Sequence, residues 1–193
     1  MKYLFSLFTS LVLLQGTLSA ETWKNLVPKP ANLTPQTGNI LLEKGFKTYL
    51  TAPQFEDEML WLHEKGWEKL FVFPIQPAQK VLTKQDLNQA GVYFLHDASL
   101  GAEAYRLEIT PTQIRLTASE DAGMFYAVQT LLQMLPAPVF GTSDLELREY
   151  ALDCVTIEDQ PRYGYRGLML DVSRTFYNAS QVKEIIGWMA AHK

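Results

Sequence analysis

The residues of this chain that could do chemistry are concentrated near its C-terminal end. The run YRGLMLDVSR, residues 165–174, places an arginine before a short apolar segment and several polar residues after it. If the apolar segment is a strand of an α/β fold, sites form at the C-terminal ends of such strands. On spacing alone, this geometry favours Asp171, Ser173 and Arg174 as site residues, with Arg166 at the opposite end of the strand.

Other reactive residue types are sparse and scattered. Cys154 is the only cysteine, so the chain can form neither an internal disulfide nor a cysteine-based metal site, and we expect a buried thiol. His63 and His96 are isolated in sequence, and His192 lies at the end of a helical pattern, where capping is the expected role. No spacing typical of metal ligands is present. We therefore expect neither a metal nor a cofactor.

The terminal segment has the pattern of one βα unit. Residues 167–172 form a continuous apolar run, typical of a strand buried on both faces of a parallel sheet. Asn178, with Gln181 three residues later, predicts a capping box at the start of a helix. The next apolar residues recur at i, i+3, i+4 and i+7 and define one helix face: Val182, Ile185, Ile186 and Met189. A new α/β domain therefore begins near residue 166.

The preceding residues predict an α+β domain. Residues 105–109 and 114–118 alternate as the two strands of a hairpin joined through Pro111 and Thr112. Further strand patterns occur at 92–97 and 148–159, and helical patterns at 56–71 and 121–135. In the second helix, Asp121 is the expected cap and Pro136 the stop. We expect an antiparallel sheet with two helices on one face.

The composition is that of a folded protein. The chain of 193 residues is 47% hydrophobic and 20% charged, which excludes a disordered class. Its formal net charge is −4, and lysines and arginines are dispersed rather than clustered. Nucleic acid is therefore not an expected partner.

The first twenty residues have the features of a secretory signal peptide. Lys2 precedes an apolar run that is followed by the small-residue stretch GTLSA, and cleavage after Ala20 or Ser19 fits about equally well. An uncleaved membrane anchor is the alternative, but the run is short for a membrane span of about 20 apolar residues. We expect export to the periplasm or the exterior and no stable membrane insertion after signal removal.

Several of these segments together resemble one enzyme family. PRYGYRGLMLDVSRTF and VKEIIGWMAAHK resemble the start of the catalytic (β/α)8 barrel of family 20 glycoside hydrolases, the β-N-acetylhexosaminidases. AGMFYAVQTLLQMLP, the hairpin before it and LVPKPANLTPQTG are similar to the α+β accessory domain that precedes this barrel. The resemblance divides the chain into a signal at 1–20, an accessory domain at 21–150, a joint at 151–165 and a truncated barrel start at 166–193.

The resemblance implies hydrolysis of terminal β-linked N-acetylglucosamine or N-acetylgalactosamine from a glycan partner. In this family the acetamido oxygen of the substrate attacks the anomeric carbon, assisted by an adjacent Asp-Glu pair far downstream. No catalytic residue is therefore expected within this chain, and the 193 residues alone are expected to be inactive. The alternatives are a free-standing, non-catalytic carbohydrate-associated domain and the front of a related glycosidase that shares the accessory domain.

One substrate-binding residue is implied by the same resemblance. Arg166 matches the arginine that holds hydroxyls of the non-reducing sugar, a role that suits the fixed donors of a guanidinium. The alternative for Arg166 is a structural ion pair at the domain joint. Asp171 and Arg174 are expected to form a supporting charge pair near the strand exit. Thr175 departs from the family, which usually has histidine there, and this puts family-typical activity in doubt.

Overall fold

The computed structural model describes residues 21–71, 76–80, 86–137 and 147–193, and the expected signal peptide lies outside them. The strands of this part of the chain are β1 (Asn32–Glu43), β2 (Lys47–Leu50), β3 (Gln76–Lys80), β4 (Gly91–His96), β5 (Tyr105–Ile109), β6 (Gln113–Ala118) and β7 (Glu149–Asp159). Its α-helices are α1 (Glu56–Leu62), α2 (Glu68–Leu70), α3 (Asp121–Met134) and α4 (Ala179–Ala191). No helix within the described ranges is long and apolar enough to cross a membrane.

The described strands form one mixed sheet in the order β1-β7-β5-β6-β4-β2-β3. The α+β class is confirmed, but the sheet is antiparallel only on the side of β1, β7, β5 and β6. The pairs β2–β3, β2–β4 and β4–β6 are parallel. Parallel neighbours need a crossover connection rather than a tight turn, and α1 and α2 lie in the crossover between β2 and β3. The prediction of a fully antiparallel sheet was therefore wrong.

The predicted hairpin is confirmed in its register. Tyr105 pairs with Ala118, Leu107 with Leu116, and Ile109 with Ile114. These six side chains are buried on the face that packs against the helices. Because strand side chains alternate between faces, one buried face fixes the register along the whole hairpin.

Helix α3 covers the centre of that face. The predicted apolar residues are buried: Met124, Val128, Leu131, Leu132 and Leu135. The start of the helix differs from the prediction. Glu120 is the N-cap residue, without a capping hydrogen bond from its side chain, and Asp121 is the first helical residue. Asp121 therefore acts as a negative charge in the first turn, where the helix dipole favours it.

The first helical segment is interrupted by a π-helical turn at His63–Trp67 between α1 and α2. This turn places the Trp67 ring in the core, where it is 1% exposed, while Leu60 remains 51% exposed. His63 lies beside β2, with its Nε2 atom 3.1 Å from Thr48 Oγ1. Burial lowers the pKa of His63, and the charge of Glu68 partly opposes this effect.

We expect the free energy of unfolding to fall as the pH drops below about 6.5, because a histidine with a lowered native-state pKa is protonated more readily after unfolding. The free energy of unfolding stops falling once the pH is also below the native-state pKa of His63. His63→Gln should reduce the fall between pH 7 and pH 5, measured by urea unfolding at each pH. The exposed His96 supplies the control His96→Gln. An equal fall in wild type and His63→Gln would contradict this assignment.

Strand β7 extends further than the expected domain boundary. It pairs with β1 up to Glu158 and with β5 up to Asp159. Residues 151–159 therefore lie inside the sheet, and the joint predicted at 151–165 is shortened to the residues after Asp159. Strand β1 begins at Asn32, and Gly38 adopts a φ of 98° at the bulge between Pro35 and Asn39.

The terminal segment is only partly as predicted. Residues 167–172 do not form a strand, since no described strand lies beside them to accept and donate backbone hydrogen bonds. Helix α4 begins at the predicted capping box, in which Asn178 and Gln181 each bind the backbone of the other at 2.9 Å. No residue of α4 is buried. The large hydrophobic side chains exposed along residues 163–193 are Tyr163, Tyr165, Leu168, Met169, Val172, Phe176, Ile186, Trp188 and Met189.

Candidate functional site at the domain joint

Arg166 connects the terminal segment to the α+β domain. Its Nη2 atom donates to Glu103 Oε1 at 2.6 Å and to Tyr126 Oη at 2.7 Å, and Nη1 donates to the carbonyl oxygen of Tyr163 at 2.6 Å. The guanidinium also lies over the Tyr126 ring, 5.5 Å from its centroid. Tyr126 in turn donates to Glu103 at 3.0 Å. The joint ion pair considered as the alternative for Arg166 is therefore present.

The charges of this cluster support one another. The hydrogen bond from Arg166 lowers the pKa of Glu103, and the same bond raises the pKa of Arg166. Burial raises the pKa of Tyr126, and its bond to Glu103 adds to the effect. At neutral pH the three groups are therefore a carboxylate, a guanidinium and a neutral phenol. Because the Arg166 and Glu103 side chains are 27% and 41% exposed, the ion pair itself contributes little to stability.

Arg166 faces a cleft of about 290 Å³ between the sheet and the terminal segment. Tyr105, Tyr126 and Tyr163 contribute rings to its wall, and Lys193 lies at its far side. Aromatic rings beside a few convergent polar groups are typical of small-molecule sites. The cleft is thus the place where the described residues combine a cation, a carboxylate and aromatic surface.

A second polar network closes the far side of the cleft. Lys193 Nζ donates to Tyr105 Oη at 2.7 Å and lies 3.1 Å from Asp159 Oδ2, and Tyr105 also donates to Asp159 at 3.0 Å. The Tyr105 hydroxyl lies 2.6 Å from Thr130 Oγ1. Burial lowers the pKa of Lys193, against the opposing effect of Asp159, and burial raises the pKa of Tyr105. This network is largely shielded from solvent, with the Lys193 and Asp159 side chains only 6% and 11% exposed.

Asp171 and Arg174 form the expected charge pair. Asp171 Oδ1 also accepts hydrogen bonds from the backbone nitrogens of Ser173 and Arg174, at 3.0 and 3.1 Å. The hydrogen bond from the Arg174 backbone has the largest effect in lowering the pKa of Asp171. The bonds from the Arg174 side chain and the Ser173 backbone add to it. The Arg174 side chain is 87% exposed, so the pair fixes a local turn and does not meet Arg166. Thr175 follows this turn on the exposed surface.

The remaining candidates have structural roles. Cys154 is a free thiol, 1% exposed, and burial raises its pKa. His192 is the C-cap residue of α4, and its Nδ1 atom lies 2.7 Å from the carbonyl oxygen of Trp188, which confirms the capping role. Within the part of the chain that the structure describes, no group of three histidine, cysteine or acidic residues is arranged to hold a metal ion.

Sequence reasoning did not find the partners of Arg166 and Lys193. Glu103 is 63 residues from Arg166, and Tyr126 is 40 residues away, so no local pattern connects them. A weak signal existed for Asp159, the last residue of a strand pattern that runs into the predicted joint. Nothing in the sequence marks Tyr105 as more than a core residue of the hairpin.

Two family profiles match the chain. Residues 24–160 match glycosyl hydrolase family 20, domain 2, and residues 163–193 match the catalytic domain of the same family. The two matches meet between residues 160 and 163, immediately after the end of β7 at Asp159. They therefore divide the chain where the sheet ends and the terminal segment begins.

Similar proteins include a β-hexosaminidase of Vibrio furnissii, 30% identical over 88% of this chain and 25% of that protein. A β-N-acetylhexosaminidase of Cellulomonas fimi is 36% identical over 50% of the chain and 18% of the relative. Among solved structures, the family 20 β-N-acetylhexosaminidase of Streptomyces coelicolor superposes with a TM-score of 0.76 at 28% identity, covering 89% of this chain and 33% of that one. The chain thus spans about a quarter of the first of these relatives.

Proposed function

Because this chain belongs to glycosyl hydrolase family 20, we propose that it acts as the N-terminal part of a β-N-acetylhexosaminidase. The observation that carries the proposal is that both profiles match in order along one chain, with the accessory domain followed by the opening of the catalytic domain. The substrate is a glycan with a terminal, non-reducing β-linked N-acetylhexosamine. The relatives named above are hexosaminidases, which supports this substrate class.

Within this enzyme, Arg166 binds hydroxyls of the terminal sugar. A guanidinium carries five N–H donors, and the contacts to Glu103, Tyr126 and Tyr163 use three of them. Two donors remain for a sugar while the first three hold the side chain in place. The ion pair at the joint and the substrate role are therefore compatible. Asp171 and Arg174 stabilise the turn that follows and do not contact the substrate.

The reaction depends on groups that lie beyond these 193 residues in the family. The substrate's acetamido oxygen is the nucleophile, and a downstream Asp-Glu pair orients it and transfers the proton. The residues described here bind and orient, and they supply no acid or base. We propose in addition that residues 1–20 direct export, since a short apolar run followed by small residues is typical of a cleaved signal.

The test is hydrolysis by the full-length protein that carries this segment. It should release nitrophenol from 4-nitrophenyl N-acetyl-β-glucosaminide and leave 4-nitrophenyl β-glucoside intact, because the second substrate lacks the acetamido nucleophile. Equal turnover of both would refute substrate-assisted catalysis and favour a related glycosidase. The 193-residue chain alone serves as the negative control. Assays of the cell interior, periplasm and medium test export at the same time, and activity confined to the interior would contradict it.

A further inference from the structure

The terminal segment is attached to the α+β domain at its two ends rather than along its length. At the first end Arg166 binds Glu103 and Tyr126, and we name this group the Arg166 clamp. At the second end Lys193 binds Tyr105 and Asp159, and we name this group the Lys193 clamp. All four partners belong to the α+β domain. Glu103 lies just before β5 and Tyr105 at its start, Asp159 is the last residue of β7, and Tyr126 is a half-buried residue of α3.

Apolar packing does not account for this attachment. No residue of α4 is buried, and large side chains such as Leu168, Met169 and Trp188 are 60%, 88% and 61% exposed. Burial of apolar surface is the usual source of docking energy, and it is largely missing here. The polar groups at the two ends therefore determine where the segment lies.

The Lys193 clamp is the stronger of the two because it is buried. The Lys193 and Asp159 side chains are 6% and 11% exposed, so removal of either charge leaves the other without its counter-ion at a site largely shielded from solvent. Gln133 of α3 adds a contact at the same end, since its Nε2 atom donates to the carbonyl oxygen of Ala191 at 2.8 Å. The same amide also binds Val27 at 2.8 Å, so α3, the segment before β1 and α4 are tied at one point.

We propose that the accessory domain is a docking surface that sets the orientation of the opening unit of the catalytic domain through these two clamps. Asp159 and Glu103 are its positioning residues. The clamps hold the ends of residues 163–193 and leave the apolar side chains between them uncovered. In this arrangement the accessory domain presents residues 163–193 in a fixed place, and the substrate-binding role of Arg166 is not required for the proposal.

Hydrogen exchange of the 193-residue chain, followed by mass spectrometry, tests this proposal. Asp159→Asn should accelerate exchange of residues 187–193 by at least about tenfold, because a broken buried pair releases the helix end. Asparagine keeps an acceptor for the backbone nitrogen of Ala31, which binds Asp159 Oδ1 at 3.0 Å. Glu103→Gln should accelerate exchange near residues 163–166 by a smaller factor, and high salt should have a similar effect at that end only.

The controls separate release of the segment from loss of the fold. Amides of the β5–β6 hairpin should remain as protected as in wild type. Lys193→Met removes the same ion pair by a change in the terminal segment, so the α+β domain keeps its own sequence. It should accelerate exchange of residues 187–193 as Asp159→Asn does. Glu108→Gln and Asp57→Asn are matched changes outside both clamps and should leave exchange of 187–193 unchanged. The proposal is overturned if 187–193 exchange at coil rates in wild type, or if Asp159→Asn and Lys193→Met leave their protection intact.

Discussion

Arg166→Gln in the full-length enzyme is expected to lower kcat/KM for the chromogenic N-acetylglucosaminide on the order of 10²- to 10⁴-fold. Hydrogen bonds from a charged donor are worth about 1.5–3 kcal/mol each, and glutamine loses the charge and the fork that two such bonds need. A factor of ten corresponds to about 1.4 kcal/mol, so the loss of two bonds gives this range. Arg166→Lys retains the charge without the fork and should recover only a small part of the loss.

Arg148→Gln is the matched control, because Arg148 is exposed just before β7, at the opposite end of that strand from the joint, and does not line the cleft. It should leave kcat/KM within about twofold of wild type, in line with ordinary surface substitutions. A purely structural role for Arg166 predicts a different outcome. In that case Arg166→Gln and Glu103→Gln would lower the thermal midpoint together and leave kcat/KM unchanged below it.

Gly123→Ala is expected to destabilise the α+β domain by about 2–3 kcal/mol. Gly123 lies in the first turn of α3, and a Cβ atom there would be 2.4 Å from the carbonyl oxygen of Ala104 and 3.3 Å from Cβ of Ala118. The oxygen belongs to the backbone just before β5, so it cannot rotate away, and α3 must move off the sheet. The higher helix propensity of alanine offsets only about 1 kcal/mol of this destabilisation. The thermal midpoint should fall by about 4–12 °C.

Gly187→Ala tests whether the close approach, rather than the substitution itself, causes the loss. Gly187 lies in α4, and nothing stands within 4 Å of a Cβ atom at that position. The same change there should be neutral or slightly stabilising, because alanine favours a helix that has room for it. Thermal unfolding by circular dichroism compares the two variants. A midpoint for Gly123→Ala equal to wild type would show that α3 shifts without cost.

Some elements of this fold follow from local sequence. The β5–β6 hairpin and α3 were predicted from alternation and from 3.6-residue spacing, and both patterns act over a few residues. The capping box of α4 was equally local, because Asn178 and Gln181 satisfy each other's backbone within one turn. The family resemblance used the same segments and is consistent with the profile matches.

Other elements could not be predicted in this way, because they depend on groups distant in sequence. The parallel pairing of β2, β4 and β6 needs crossover connections whose path no local period records. The prediction of a strand at 167–172 was wrong for the same reason. Its apolar run is suited to a sheet, but backbone hydrogen bonds must come from neighbouring strands, and none of the described strands supplies them.

The contacts at the joint show most clearly the difference between what local sequence predicts and what the tertiary structure decides. The sequence by itself determined that Arg166 precedes an apolar run and that a capped helix follows, and these residues were sufficient to indicate the family. Only the tertiary structure decided that Arg166 binds Glu103 and Tyr126, and that Lys193 binds Asp159 and Tyr105. A guanidinium or ammonium group binds whatever acceptor the fold brings within about 3 Å, and that acceptor is chosen by the packing of β5, β7 and α3.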